Sequence, residues 1–94
     1  MTPHEFKDLL KAEQFGEINI VERQIGYALG EHQHPYDVCA LITSGAITLV
    51  VEGVSTTYAV GDIFRLPAGT VHHESAGPTG ANIWAGRRHQ VANP

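Results

Sequence analysis

From residue 17 onward, glycine or proline cuts the chain about every 8 to 10 residues, and this spacing constrains the fold more than any other feature. Segments this short are poor helices, but they match strands that cross one layer of a sheet. Between the cuts, apolar and polar residues alternate and β-branched residues are frequent, which is the period of half-buried strands. The segments lie at 17–25, 27–34, 38–43, 46–52, 54–60, 63–66, 71–75 and 82–87. Turn signals separate them at Ser44-Gly45, Glu52-Gly53, Gly61-Asp62, Pro67-Ala68-Gly69 and Gly77-Pro78-Thr79-Gly80. Eight short strands in so little chain suit an all-β jelly roll, in which antiparallel strands bend into two facing sheets and few edges stay open.

Only the N-terminal residues 1–16 depart from this pattern. Thr2 reads as an N-cap, Pro3 as the first helical residue and Glu5 as the reciprocal member of a capping box. Phe6, Leu9 and Leu10 then form one apolar stripe, and Gly16 is placed to end the helix. The expectation is one short N-terminal α-helix over an edge or mouth of the barrel, followed by a barrel over 17–94 in a single domain. With 94 residues the core is modest, and a homodimer is expected to add stability.

A formal charge of -4 argues against nucleic acid as a partner, since backbone phosphates call for clustered Lys and Arg. The one basic cluster, Arg87-Arg88-His89, reads as a solvated chain end. No apolar run approaches the roughly 20 residues that cross a bilayer, so no membrane partner is expected. A single cysteine, Cys39, makes no internal disulfide, and no signal segment opens the chain; a cytoplasmic location is the default expectation.

His32-Gln33-His34 carries the first chemical signal. In an extended strand, residues i and i+2 share a face, so both imidazoles project together and can share one ion. The stretch Gly61 to His72 carries the second: it reads Gly, five residues, Pro67, one residue, Gly69, two residues, His72. This stretch resembles the second motif of the cupin family, and Gly30 to Gly45 resembles the first, with His32, His34 and Gly45 in place. The resemblance spans about Ile25 to Gly86. It implies a double-stranded β-helix that brings His32, His34 and His72 to a common point inside the barrel. Three neutral imidazoles suit a divalent transition metal, Zn, Fe, Ni, Mn or Cu, and the sequence does not select among them.

Two positions depart from the family pattern: Val38 stands where a glutamate is usual, and Ala76 where an asparagine is usual. Glu74 is the expected substitute carboxylate, as ligand or acid/base, because it lies two residues after His72 on the same face. Asp37 points to the other face of a regular strand and could replace the carboxylate only if a bulge redirects it. The remaining pocket lining is expected from Tyr36, Val38, Phe64 and Trp84. Cys39 reads as a buried small hydrophobe, His73 as outward-facing, and His4 and His89 as surface residues. Two functions follow: a metal-dependent enzyme acting on a small molecule, of oxygenase or isomerase type, or a non-catalytic module that binds or senses one.

Overall fold

Two long antiparallel strands organise the computed structural model, which describes residues 1–89. The elements are α1 (Pro3–Ala12), β1 (Asn19–Arg23), β2 (Ala28–His32), β3 (Asp37–Val51), β4 (Val54–Ala59), β5 (Ile63–Leu66) and β6 (His72–Arg88). β3 and β6 pair from Asp37↔Arg88 to Val50↔His73. The C-terminal half of β6 and the N-terminal half of β3 are flanked by β1 and β5; the other halves are flanked by β2 and β4. Two four-stranded halves result, and they form the expected jelly roll.

Each expected segment contains strand, though 17–18, 24–25 and 33–34 fall outside it, and two expected breaks are not breaks. Ser44-Gly45 lies inside β3, and Gly77-Pro78-Thr79-Gly80 lies inside β6, so eight segments make six strands. The reason is tertiary. Between Gly45↔Ala81 and Ile47↔Ala76, residues 77–80 of β6 stand opposite the single residue Ala46 of β3. This bulge bends both strands from one half to the other while they remain paired. Gly45 and Gly80 take the left-handed conformation at the crossing, with φ of 69° and 77°.

Strand alternation then divides the apolar residues between two cores. Ala40, Ile42, Ile47, Leu49, Phe64, Leu66, Ala81 and Ile83 fill the barrel. Cys39 and Leu41 face outward on β3 and are covered by Phe6 and Leu10 of α1, with Ile63 and Trp84 packed beside them. The helix therefore covers the outer face of one sheet, and not an edge or mouth. Its start follows the sequence: Thr2 N–H donates to Glu5 Oε1 at 2.9 Å, and Glu5 N–H donates to Thr2 Oγ1 at 3.2 Å. Its end comes earlier than Gly16, at Ala12, because Gln14 turns left-handed with φ of 61°. Arg65 donates both guanidinium nitrogens to Glu13 at 2.7 Å and ties this end to β5. No helix among the described residues is long and apolar enough to cross a membrane.

Phe6 is fully buried and holds the helix on the sheet. Phe6→Ala is expected to lower the unfolding free energy by about 3–5 kcal/mol, read as a reduced denaturant midpoint. A loss below about 1 kcal/mol in that measurement would contradict the packing described.

Candidate metal centre

β2 and β6 are antiparallel neighbours, and their register sets His32 opposite His72. His34 follows His32 by two residues, just beyond the end of β2, so a short step of chain and one strand pairing bring all three rings together. Their ligand atoms lie within 4.8 Å of one another. Ring centroids are 4.0 Å apart for His32 and His72, 5.2 Å for His32 and His34, and 5.3 Å for His34 and His72. His72 is buried, and the other two are partly buried.

Backbone carbonyls choose the tautomers. His32 Nδ1 lies 2.7 Å from the Gly30 carbonyl, and His72 Nδ1 lies 2.9 Å from the Thr70 carbonyl. A carbonyl oxygen only accepts, so each Nδ1 carries a proton, which leaves Nε2 as the nitrogen whose lone pair a metal can take. Fixing one ring nitrogen in this way orients the other for a metal. His34 stacks on Tyr36 with centroids 5.1 Å apart and planes 9° apart. Its pKa is lowered from the usual 6.5, first by burial and then by His72 and His32, which favours the neutral, ligating form.

The donor set fits a divalent ion by a direct test. His32 Nε2 is buried and has no hydrogen-bond partner among the described residues. Buried polar atoms nearly always have partners, and an ion held by three imidazoles would supply this one. His32, His34 and His72 are thus placed within metal-binding distance.

Glu74 points into the same cavity but stands outside this trio of mutually close donors. Its Oε2 accepts a hydrogen bond from Tyr27 Oη at 3.1 Å and lies 3.8 Å from His32 Nε2. Tyr27 has its pKa raised by burial and then by the Glu74 charge, so the phenol keeps its proton and holds the carboxylate in place. Arg65 binds Glu13 and not Glu74. Val38 lines the cavity where the family's glutamate would stand. Asp37 takes no part: it accepts the Ala68 N–H at 2.8 Å and pairs with Arg88 at 3.0 Å, and those contacts, Ala68 first, lower its pKa. It pins the Pro67-Ala68-Gly69 turn.

The cavity measures about 110 Å³, and Tyr36, Val38 and Phe64 line it. Trp84, expected in the lining, faces away under α1, with Lys7 Nζ 5.4 Å from its ring centroid. Ile83 and Ala85 take the inward positions of β6 beside it. Cys39 is buried under the helix, where burial raises its thiol pKa. His73 and His4 are exposed, and His89 is exposed with its ring 5.1 Å from Tyr36.

Sequence reasoning missed Arg23, Tyr27, Leu29 and Arg87. Arg23, Leu29 and Arg87 line the cavity, and Tyr27 supports Glu74. Arg88 corrects the reading of a solvated chain end, since it is tied to Asp37, whereas Arg87 is exposed as expected and also borders the cavity. For Arg23 the available signal was spacing, two residues from the inward Val21.

Residues 19–79 match the family model described as Cupin domain. No curated protein matches the chain. Among solved structures, a conserved Streptococcus pyogenes protein of unknown function is 23% identical with a TM-score of 0.70, covering 80% of this chain and 65% of its own. A cupin superfamily protein from Desulfitobacterium hafniense is 18% identical with a TM-score of 0.69, covering 78% of this chain and 66% of its own. The DMSP lyase DddQ from Ruegeria pomeroyi is 21% identical with a TM-score of 0.68; 80% of this chain aligns with 39% of that one. The chain thus spans just under two thirds of the first two proteins and well under half of the third.

Proposed function

We propose, since this chain belongs to the cupin domain family, that it is a metal-dependent enzyme acting on a small molecule, with His32, His34 and His72 holding one divalent transition ion. The observation that carries this is the buried, partnerless Nε2 of His32 amid three imidazoles whose ligand atoms lie within 4.8 Å. When bound, such an ion supplies Lewis-acid or redox chemistry at positions the three rings leave open, in keeping with oxygenase or isomerase reactions.

The chain's own residues supply the rest. The Gly30 and Thr70 carbonyls hold two rings in the ligating tautomer. Glu74, steadied by Tyr27, stands beside His32 as a group that can take or return a substrate proton. The apolar side chains Val21, Leu29, Phe64 and Ile83 limit water around the bound molecule. The DMSP lyase is an enzyme on the same fold, which is compatible with catalysis here but does not specify it.

The test is a metal titration of chelated protein. One ion per chain is expected, and at 100 times its Kd it stabilises the fold by about 2.7 kcal/mol. For a domain of this size that corresponds to a Tm rise of roughly 10–20 °C. Absence of both uptake and Tm rise across Zn, Fe, Ni, Mn and Cu would overturn the proposal.

A further inference from the structure

The four arginines divide by location. Arg65 and Arg88, outside the cavity, each pair with a carboxylate: Glu13 at 2.7 Å and Asp37 at 3.0 Å. Arg23 and Arg87, which line the cavity, have no carboxylate partner among the described residues. Each lies instead over an aromatic ring: the Arg23 guanidinium is 4.5 Å from the Tyr27 centroid, and that of Arg87 is 4.8 Å from the Tyr36 centroid. Ring stacking fixes a guanidinium without neutralising it.

Arg23 carries a second sign. Its Nε is buried and has no acceptor among the described residues. That nitrogen is sealed from solvent, so a bound molecule would meet the outer guanidinium nitrogens, which only donate and call for an oxygen acceptor. The charges agree: two guanidiniums face one carboxylate, Glu74, and the carboxylate usual at Val38 is absent. Apart from the three histidines and Tyr36, the rest of the wall is carbon, with Val21, Leu29, Val38, Phe64, Leu66 and Ile83 supplying most of it.

We infer that the cavity takes a small organic carboxylate, whose anionic end is gripped by Arg23 and Arg87 while its carbon body rests on the apolar wall. This rests on the reading of the cavity as the working site, and it adds the substrate class. A carboxylate matches the fork of a guanidinium, and the volume of about 110 Å³ suits a body of a few carbon atoms. Inorganic phosphate offers nothing to the carbon wall, and a neutral amide leaves the guanidiniums without a counter-charge.

The experiment is calorimetric titration of the whole chain with acetate, butyrate, succinate, butyramide and phosphate. It is run once on chelated protein and once after zinc loading, with zinc content measured separately. At least one carboxylate is expected to bind, and butyrate to bind about tenfold or more tightly than butyramide. Arg23→Gln and Arg87→Gln are each expected to weaken carboxylate binding by about tenfold, with Arg23→Lys recovering only part of the loss. Arg87 is exposed, so its variant reports even if the Arg23 variants fold poorly. Equal affinity for butyrate and butyramide, phosphate binding as tight as the best carboxylate, no carboxylate binding in either preparation, or full affinity in the Arg87 variant would each overturn the inference. A chain that takes up no zinc yet binds carboxylate through these arginines would uphold it, and the five-metal titration above would then decide the metal reading separately.

Discussion

His72→Ala is expected to leave a folded chain that no longer retains a divalent ion through dialysis. His72 is 2% exposed, its Nδ1 is committed to the Thr70 carbonyl, and its ring is one of three close imidazole donors among the described residues. Losing an outer partner of a ligand typically costs about 10–100-fold in metal affinity; losing the ligand itself is expected to cost about 100-fold or more. Alanine leaves a void but removes a polar group that needed partners, so the fold survives with a lowered Tm. Elemental analysis after loading and dialysis checks the metal, and a thermal melt checks the fold. His73→Ala is the control, because that neighbour is exposed and outside the trio. Equal metal content in the His72 variant and the parent would end the three-histidine assignment.

Gly45→Val is expected to abolish the fold. Gly45 has φ of 69°, and a Cβ placed there would enter the carbonyl of Gly80, with the Ala81 Cα 3.0 Å away. Gly80 cannot retreat, because a Cβ on it would lie only 2.6 Å from the Arg23 carbonyl: β1, β6 and β3 are stacked backbone to backbone at this point. A β-branched residue in left-handed backbone adds strain to the clash. Together these effects are expected to exceed about 5 kcal/mol, the lower end of the whole stability of a small domain. Gly53→Ala sets the scale: it has φ of 77° but open space around the new Cβ, so it is expected to cost only about 1–2 kcal/mol. Far-UV circular dichroism and denaturant titration separate the two. A cooperative, near-parental unfolding curve for Gly45→Val would refute the close crossing of these strands.

That crossing also explains why the glycine of the first motif is there. In the sequence, Ser44-Gly45 looks like a turn, because glycine next to serine is the local signature of one. The structure uses it for a close approach between paired strands, which no local signal distinguishes from a turn. The same holds for Gly77-Pro78-Thr79-Gly80, which reads as a loop and is a bulge within β6.

The chain's own order of residues was enough for whatever depends on neighbours a few positions apart. The capping box of Thr2 and Glu5, the eight extended segments, the shared face of His32 and His34, and the motif ending at His72 are all of this kind. Each rests on helix or strand periodicity, which is a property of the local backbone. Tertiary structure alone decided the rest. The bulge at 77–80 breaks the inward–outward count along β6, so Trp84 falls under the helix while Ile83, Ala85 and Arg87 border the cavity. The Tyr27 hold on Glu74 joins residues 47 apart in the chain, and Arg23 lacks a carboxylate only because of where the sheets bring it. Alternation carries orientation along an unbroken strand but not across a bulge, and pairing between distant segments exists only once the sheets have closed.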